Sequence, residues 1–531
     1  MEKMLGVMLD CSRNSVMKPD TVKYYAQILK KMGYNTLMLY TEDTYELESQ
    51  PYFGHLRGRY SKAELKDMDA YCDSIGVELI PCIQTLAHLK QMFKWGTVYK
   101  NINDCDDILL IGEKETYVLI EEMFKTVTEC FRTKKIHIGM DEAYRVGTGE
   151  YLNRNGVRDR FDVINEHLHK VCQIASKYRL EPMIWSDMFC KLAAGQAGGA
   201  SQYEKVDASK ILEKASLPEN VSLVYWDYYS TEYEHYVQMI ERNKLFGRKV
   251  YFAGGAWTWL GFAPNNTFSI KATDVALSAC VDNVVDGVFF TAWGDDGAEC
   301  SAFAVLPALM FAAEKARGNT DMISIKAKFR EIVGVDFESF MLLDAFDTPG
   351  GKHIDGIATS KLLLYNDPFM GIRDYLCSEE DNTYYEILAE KIHNITEKGD
   401  FALLFESYEK FARVLAVKAA LGIKTREAYL AKNIETLKNL ITEYDEIVER
   451  IKAFHKAYRK RWFSESKPHG FEIQDIRIGG VIQRVLSCKE RLVEYINGEV
   501  DNIPELHENV LEVSNGAAHW WKTITANVVS H

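Results

Sequence analysis

Two acidic residues, Asp141 and Glu142, stand side by side in the stretch KKIHIGMDEAYRVGTG (134–149). The apolar run before them contains Ile136 and Ile138 and is typical of a buried strand, so the carboxylates stand where that strand ends. Adjacent carboxylates repel, and one of them tends to keep its proton near neutral pH. A protonated carboxyl beside an ionised one suits acid–base catalysis, whereas a solvated acidic turn is the structural alternative.

Neighbouring residues on a strand point to opposite faces. Asp141 and Glu142 can therefore enter one site only where the alternation of the strand breaks. The segment RVGTGEYLNRNG (145–156) follows them, and its glycines predict a long loop before the helix of this unit begins. Loops of this kind commonly carry binding and catalytic residues.

Two histidines are further candidates. His137 has the same strand parity as Asp141, and His88 follows an apolar run in QTLAHL (84–89). Alone, each is more simply a hydrogen-bonded structural residue, and together with the carboxylates they could hold a divalent ion. The HxH pattern expected on the first strand of a metal-dependent barrel hydrolase is missing, and so is HExxH, so neither a metal nor a cofactor is expected.

Aromatic residues crowd the ends of the later apolar runs. Core packing is the simple explanation for some of them, but rings at successive strand ends could also wall a pocket. A sugar packs its C–H faces on rings and takes hydrogen bonds from charged groups, which Arg13 and Asp295 could supply. The aromatic residues are Trp185, Trp226, Tyr228, Tyr229, Trp257, Trp259 and Trp293.

Eight apolar runs alternate with amphipathic stretches over about the first 317 residues. This pattern predicts a parallel sheet closed into a (β/α)8 TIM barrel, with an open doubly wound sheet as the alternative. The runs begin at residues 5, 36, 77, 135, 182, 221, 249 and 286. In a barrel their carboxyl ends converge on one mouth, and every run ends in residues able to do chemistry: Asp10, Glu42, Asp43, Gln84, Asp141, Glu142, Asp187, Asp227, Trp257, Asp295 and Asp296.

The pattern changes after about residue 320, where strand signals thin out. We therefore predict a catalytic barrel over residues 1–320 and a mainly α-helical C-terminal domain over 321–531. A stretch from about 425 to 463 predicts a long helix with a 3-4-3-4-3 apolar seam from Ile434 to Ile451. Packing of this seam on the chain's own helices is favoured over packing on another subunit, and a homodimer stays open.

Composition limits the partners. The 531-residue chain is 47% hydrophobic and 26% charged, with a formal net charge of -14. An acidic protein is a poor partner for nucleic acid or an anionic membrane, because phosphates need clustered Lys and Arg. The sequence has no apolar run long enough for a membrane span. Eleven scattered cysteines and no evident signal peptide favour a cytoplasmic location.

Six motifs, in order along the barrel, resemble those of family 20 glycoside hydrolases, the β-N-acetylhexosaminidases. HIGMDE (137–142) is similar to the family's His-x-Gly-Gly-Asp-Glu signature. The others are LDCSR (9–13), LAHL (86–89), IWSDMF (184–189), VYWDYY (224–229) and AWGDDGAE (292–299). The sequence departs from the family pattern at Met140, which replaces a glycine, at Leu5, which replaces an arginine, and at Asp295, which replaces a glutamate.

Because the first apolar run begins at about residue 5, we expect the small domain that often precedes the barrel in this family to be absent. The helical tail resembles that of a divergent, intracellular bacterial branch. The resemblance implies an exo-acting, retaining, substrate-assisted hydrolase that releases terminal β-linked GlcNAc or GalNAc from a small oligosaccharide or glycoconjugate. The 2-acetamido oxygen of the substrate is then the nucleophile, and an oxazolinium ion forms.

The resemblance also implies residue roles. Glu142 is the general acid and base, and Asp141 orients the acetamido N–H. Arg13 grips the 3- and 4-hydroxyls, and Asp295 grips the 4- and 6-hydroxyls. The other expected contacts are Trp185 and Trp226 around the acetamido group, Trp293 under the ring, Tyr228 on the acetamido carbonyl, and His88 and His137 holding the acid pair; Trp257 joins the aromatic wall.

Two alternatives remain at this point. A β-glycosidase of another sugar would need a protein nucleophile about 5 Å from the acid, for which Asp187 and Asp227 are candidates. A non-catalytic sugar-binding barrel is the other alternative, since a fold does not fix a function.

Overall fold

Eight parallel strands close into a barrel in the computed structural model of the protein, which describes residues 3–193, 208–349 and 357–511. The strand order around the barrel is β1-β10-β9-β8-β7-β6-β3-β2. The barrel strands are β1 Met4–Asp10, β2 Thr36–Tyr40, β3 Glu78–Cys82, β6 Lys135–His137, β7 Glu181–Trp185, β8 Ser222–Trp226, β9 Val250–Gly255 and β10 Gly287–Ala292. Each lies within one residue of one of the eight predicted runs, and the predicted closed barrel is confirmed.

A small antiparallel hairpin, β4 (Asn103–Cys105) and β5 (Ile108–Leu109), lies outside the barrel. The sequence did not indicate it, because strands of three and two residues are too short to show a period.

Strand β6 is the shortest barrel strand. It pairs with β3 through a single residue pair, Cys82 and His137, and with β7 through three pairs. The strand thus ends five residues before Glu142, and Ile138 and Gly139 make the last backbone hydrogen bonds to β7. The segment after Gly139 is available to carry side chains over the mouth.

Helices follow the barrel strands and continue beyond them. They are α1 Pro19–Met32, α2 Lys62–Ser74, α3 Lys90–Phe93, α4 Gly96–Tyr99, α5 Lys114–Cys130, α6 Glu150–Asn155, α7 Arg160–Lys177, α8 Asp187–Ala193, α9 Ala208–Lys214, α10 Tyr233–Lys244, α11 Asn266–Asp282, α12 Leu306–Ala316, α13 Met322–Val333, α14 Phe337–Met341, α15 Thr359–Tyr365, α16 Glu380–His393, α17 Ala402–Lys418, α18 Leu421–Leu430, α19 Ile434–Glu465, α20 Phe471–Ile496 and α21 Pro504–His507.

Local sequence explains several helix ends. Helix α1 has a proline in its first turn and ends at Gly33, which takes a left-handed conformation with φ 99°. Helix α2 begins with a capping box, in which the Ser61 hydroxyl accepts from the Glu64 N–H and the Glu64 carboxylate accepts from the Ser61 N–H. The long helix after β6, α7, begins only after Gly156, as predicted, and the short α6 lies within the preceding loop.

The chain divides into two compact units. The first comprises Met1–Trp257, Phe268–Trp293 and Ala308–Ile325, and the second comprises Thr258–Thr267, Gly294–Pro307 and Lys326–His531. The second unit thus includes two short segments from within the first 320 residues.

Aromatic side chains form the centre of the second unit. The Phe411 ring lies 4.8 Å from Phe262 and 5.0 Å from Phe454, centroid to centroid, and stacks on Phe346 at 5.2 Å. Helix α19 packs on α17 and α20, so its apolar face is covered by the chain's own helices. Leu437, Tyr444, Val448 and Ile451 of the predicted seam are buried, whereas Ile434 is exposed and Ile441 is half-buried.

In the part of the chain that the structure describes, every helix is too short or too polar to cross a bilayer. All eleven cysteines are free thiols, and nine of them are buried.

Candidate active site

The backbone between β6 and the acidic pair adopts left-handed conformations. φ is 72° at Gly139, 72° at Met140 and 53° at Glu142. This breaks the strand alternation, as the placement of two adjacent carboxylates in one site requires. A Cβ on Gly139 would collide with the Gln84 carboxamide, so both the φ angle and the available space require glycine there. Met140 holds a conformation that costs a residue with a Cβ about 1 kcal/mol.

Asp141 is enclosed by two donors. Gln84 Nε2 donates to its Oδ1 over 2.9 Å, and His88 Nε2 lies 3.1 Å from its Oδ2. Burial alone would raise the pKa of Asp141. The His88 charge, the hydrogen bonds from His88 and Gln84, and nearby Arg13 outweigh burial and hold that pKa well below its usual range. Asp141 is therefore ionised at neutral pH.

His88 is the cation that pairs with Asp141. Burial opposes its charge, but Asp141, with a smaller contribution from Glu42, raises the pKa of His88 to about 9. Its Nε2 also lies 3.8 Å from Glu142 Oε2, and its Nδ1 lies 3.3 Å from Arg13 Nη2. The imidazole ring thus lies between the acidic pair and the guanidinium group.

Glu142 has a more open setting than Asp141. Its side chain is 38% exposed, whereas that of Asp141 is 11% exposed. Tyr144 donates its hydroxyl proton to Glu142 Oε1 over 2.7 Å, and the Lys191 ammonium lies 3.9 Å from the same oxygen. Lys191 also donates to the Tyr144 hydroxyl oxygen.

Asp187 is fully buried beneath this group. Its Oδ2 accepts the backbone N–H of Glu142 over 3.1 Å and lies 3.6 Å from Lys191 Nζ. Burial raises the pKa of Asp187 to about 7; Lys191 opposes the rise, and the charges of Asp141 and Glu142 add to it. The two acids beside Glu142 therefore differ, since Asp141 is ionised and Asp187 titrates near neutrality.

Arg13 is anchored by Glu42. Arg13 Nε lies 3.4 Å from Glu42 Oε1, which also accepts from the Tyr40 hydroxyl over 3.2 Å. The Ser12 hydroxyl donates to Glu42 Oε2 over 3.1 Å. The guanidinium carbon stands 5.0 Å from the centre of the Trp293 ring, within cation–π range.

Trp185, His137 and Trp293 form a contiguous aromatic layer. The Trp185 ring lies 4.3 Å from the His137 ring and 6.2 Å from the Trp293 ring. Burial lowers the pKa of His137 to about 3, so the ring is neutral. Its Nδ1 accepts the Gly139 N–H over 3.1 Å, which places its proton on Nε2 and fixes the turn before Met140.

Tyr228 connects the remaining aromatic candidates. Its hydroxyl accepts from Trp293 Nε1 over 3.1 Å, and its backbone carbonyl accepts from Trp257 Nε1 over 3.0 Å. Trp226 stacks on Tyr228 with ring centres 5.2 Å apart. The structure therefore brings together all the predicted site residues of the first unit. Trp226 is half-buried, and Trp257 is 4% exposed and lies behind Tyr228.

Asp295 belongs to the second unit, and its part in the site stays a prediction. It begins a one-turn 3-10 helix, Asp295–Gly297. The three residues after it have left-handed backbone, with φ of 56° at Asp296, 124° at Gly297 and 53° at Ala298. Side chains from two later helices, α15 and α20, hold this segment.

The cations that hold the segment are buried, whereas the Asp296 side chain is 40% exposed. Lys361 is 1% exposed, and its Nζ lies 2.8 Å from Asp296 Oδ2 and 2.7 Å from Glu299 Oε2. Arg477 Nη1 lies 3.1 Å from Glu299 Oε1, and Gln474 Nε2 donates to the Gly297 carbonyl over 2.9 Å.

The second carboxylate considered as a protein nucleophile, Asp227, is fully engaged. It is buried and accepts from the Tyr225 hydroxyl over 2.8 Å and from the Tyr229 N–H over 3.0 Å. His235 Nε2 lies 2.7 Å from its Oδ2. Asp187 is equally buried, so neither carboxylate has the exposed setting that a nucleophile needs.

Sequence reasoning assigned no role to four residues that hold the acidic pair and Arg13. Glu42 and Gln84 were visible as polar strand ends, and in a barrel this position alone indicates a place at the mouth. Tyr144 and Lys191 gave no such signal, because one lies in an irregular loop and the other in the short helix α8.

Within residues 3–193, 208–349 and 357–511, no group of three or more His, Cys, Asp or Glu side chains has the arrangement of a metal site.

Two family models match the chain, and the first covers the stretch that contains the motif HIGMDE. The family model described as "Glycosyl hydrolase family 20, catalytic domain" matches residues 4–241. The model described as "Glycoside Hydrolase 20C C-terminal domain" matches residues 338–523. The two matches cover both parts of the chain.

Relatives at the level of sequence are distant. Hexosaminidase D of Homo sapiens is 25% identical over 222 residues, which span 40% of this chain and 42% of that protein. Hexosaminidase D of Bos taurus is 24% identical over 261 residues, which span 46% of this chain and 68% of that protein. A solved structure of a GH20 exo β-N-acetylglucosaminidase from Vibrio harveyi, in complex with N-acetylglucosamine, has a TM-score of 0.48 at 14% identity and covers 64% of this chain and 58% of its own.

Proposed function

The chain belongs to glycoside hydrolase family 20, and from that membership we propose that it is an exo-acting, retaining β-N-acetylhexosaminidase. It removes terminal β-linked GlcNAc or GalNAc from a small oligosaccharide or glycoconjugate. The observation that carries the proposal is the contrast between two adjacent carboxyls: Asp141 is enclosed and ionised, whereas the more exposed Glu142 has room to meet a substrate.

In the first step the 2-acetamido carbonyl oxygen of the substrate bonds to C1. The bond from C1 to the glycosidic oxygen breaks, its electron pair stays on that oxygen, and the proton of Glu142 goes to the same oxygen. Asp141 accepts the acetamido N–H, and its negative charge offsets the positive charge of the oxazolinium ion.

In the second step a water oxygen bonds to C1, and Glu142 takes a proton from that water. The bond from C1 to the acetamido oxygen breaks and restores the acetamido group. Each step inverts C1, so the product keeps the β configuration. The ion pair with His88 and the bond from Gln84 support this role, because they keep Asp141 charged through both steps.

The sugar contacts are part of the same proposal. Arg13, held by Glu42, grips the 3- and 4-hydroxyls, and Asp295 grips the 4- and 6-hydroxyls. The ring lies on Trp293. Trp185, Trp226 and Tyr228 surround the acetamido group, Trp257 supports Tyr228 from behind, and His88 and His137 hold the turn that carries the acidic pair.

The cellular setting is also proposed. Eleven free thiols and no disulfide among the described residues support a reducing compartment, which we take to be the cytoplasm. A homodimer stays a prediction.

The test compares 4-nitrophenyl N-acetyl-β-D-glucosaminide, the matching galactosaminide and the plain glucoside. We expect turnover of the N-acetyl substrates alone and inhibition by a thiazoline analogue of the bicyclic intermediate. Asp141→Asn should lower kcat by about 10²–10³-fold. Glu142→Gln should lower it by up to about 10⁴-fold, with some first-step activity kept because a nitrophenolate needs little protonation.

Glu150→Gln is the control for loss of a carboxylate, since Glu150 pairs with Arg154 in α6 and touches neither acid. Equal turnover of the glucoside would contradict substrate assistance. Asp187→Asn and Asp227→Asn would then be assayed for loss of a covalent nucleophile.

A further inference from the structure

Tyr144 holds the Glu142 carboxylate through only one of its two oxygens. The Tyr144 hydroxyl is 2.7 Å from Oε1, while Oε2 has no hydrogen-bond partner among the described residues. The nearest cation to Oε2 is His88, whose Nε2 is 3.8 Å away and 3.1 Å from Asp141. The two oxygens of Glu142 are therefore not equivalent.

The direction of the hydrogen bonds follows from the donors. A lysine ammonium can only donate, so in the contact between Lys191 and Tyr144 the tyrosine oxygen accepts. The single hydroxyl proton of Tyr144 is then available for Glu142 Oε1. The Lys191 ammonium also stands 4.1 Å from the centre of the Tyr144 ring, which further fixes the phenol.

We propose that Lys191 and Tyr144 are positioning residues that assign the two oxygens of Glu142, Oε1 as a permanent hydrogen-bond acceptor and Oε2 as the oxygen that carries the catalytic proton. The inference rests on the proposed function. Glycosidic cleavage then moves the proton from Oε2 to the leaving oxygen as the C1–O bond breaks, and water attack returns a proton to Oε2.

Asp187 also holds Glu142, through the backbone N–H of Glu142. Its carboxylate accepts the Glu142 N–H and lies 3.6 Å from Lys191 Nζ, so the backbone and the side chain of Glu142 are fixed by one connected group. The charged and titratable groups that face Glu142 are Lys191, Tyr144, Asp187, Asp141 and His88. Lys191 is 9% exposed at its side chain, so its charge is weakly screened.

The experiment uses Tyr144→Phe with a series of aryl N-acetyl-β-D-glucosaminides, from dinitrophenyl to unsubstituted phenyl. A good leaving group needs little proton donation, whereas phenolate needs it. We expect kcat/KM to fall by about 10–100-fold for the phenyl glycoside and to stay close to wild type for the dinitrophenyl glycoside. Lys191→Met should show the same trend with a smaller loss.

Tyr34→Phe is the matched control. Its hydroxyl is also buried and donates to the Leu309 carbonyl over 2.8 Å, far along the chain from the acidic pair. It should leave the dependence on the leaving group unchanged. The melting temperature of each variant shows whether the fold is intact.

The outcomes separate the two proposals. A wild-type protein that hydrolyses no N-acetyl substrate overturns the proposed function and this inference with it. An active wild type and a Tyr144→Phe variant that loses the same factor on every leaving group would show a merely structural hydroxyl. That result, or full activity of the variant on the phenyl glycoside, overturns the inference alone.

Discussion

His88 Nε2 lies 3.1 Å from Asp141 Oδ2 and joins two loops that follow different barrel strands. The pair explains how a buried carboxylate stays ionised beside a second acid. The contact requires unusual backbone on the His88 side too, where φ is 59°. The structure thus accepts local strain at both loops to bring this cation to this anion.

The ion pair predicts a pH dependence of stability. The pKa of His88 is raised from 6.5 to about 9, so its contribution is complete below pH 6.5 and is lost as the pH rises to 9. The pKa of Asp141 is lowered, so its contribution is lost only in strong acid. The Tm difference between wild type and His88→Asn should shrink between pH 6 and pH 9.5. The corresponding change in the difference of their unfolding free energies is on the order of 2 kcal/mol. A difference that stays constant would contradict the pairing.

Asp187 predicts a second loss of stability with rising pH, in a lower pH range than that of His88. Its pKa is raised to about 7, so the native protein binds more protons than the unfolded chain and loses stability as the pH rises toward 7. Asp187→Asn keeps an acceptor for the Glu142 N–H and removes this loss. The free energy of unfolding of the variant relative to wild type should rise from pH 5 to pH 8 by on the order of 3 kcal/mol, and its relative Tm should rise with it. The exposed Asp73→Asn serves as the control.

Gly139→Ala tests the turn that carries the acids. The new Cβ would take a left-handed φ and collide with Gln84, which would have to leave Asp141. We expect a loss of stability of at least about 2 kcal/mol and a fall in kcat. Gly112→Ala is a matched control, because Gly112 has φ of 86° with nothing within 4 Å of its added Cβ. Equal losses at the two glycines would exclude the collision as the cause.

Glu42→Gln tests the support of Arg13. Glutamine keeps the size but removes the charge that faces the guanidinium group. We expect kcat/KM to fall by about 10-fold, mainly through KM, as for a weakened hydrogen bond to a charged group. A 4-deoxy substrate should show a smaller loss than the intact sugar. The same loss on both substrates would mean that Glu42 supports the fold and does not aim Arg13.

The barrel could be predicted because each of its strands is a short apolar run that ends in polar residues. The mouth followed from the barrel, and with it the nearness of Arg13, His88 and Asp141, which are far apart in sequence. The motif HIGMDE is sufficient to locate the acidic pair in the sequence. These features depend on local patterns that repeat at regular spacing.

The network around Glu142 depends on features that the sequence does not display. Tyr144 meets Glu142 because the backbone turns left-handed at Met140 and Glu142, and a methionine gives no sign of a positive φ. Lys191 meets Tyr144 from a different loop, so no spacing links them. Two early segments, 258–267 and 294–307, group with the late helices in the second unit. Only tertiary contacts define this grouping, so the sequence does not display it either.

The segment Asp296–Ala298 is held by side chains that come much later in the chain. Lys361 is 65 residues beyond Asp296, and Arg477 is 181 residues beyond it. On a translating ribosome, Trp293 and its strand emerge long before either partner is synthesised. The backbone after Trp293 therefore gains the full set of contacts that hold its left-handed form only once α20 has left the exit tunnel.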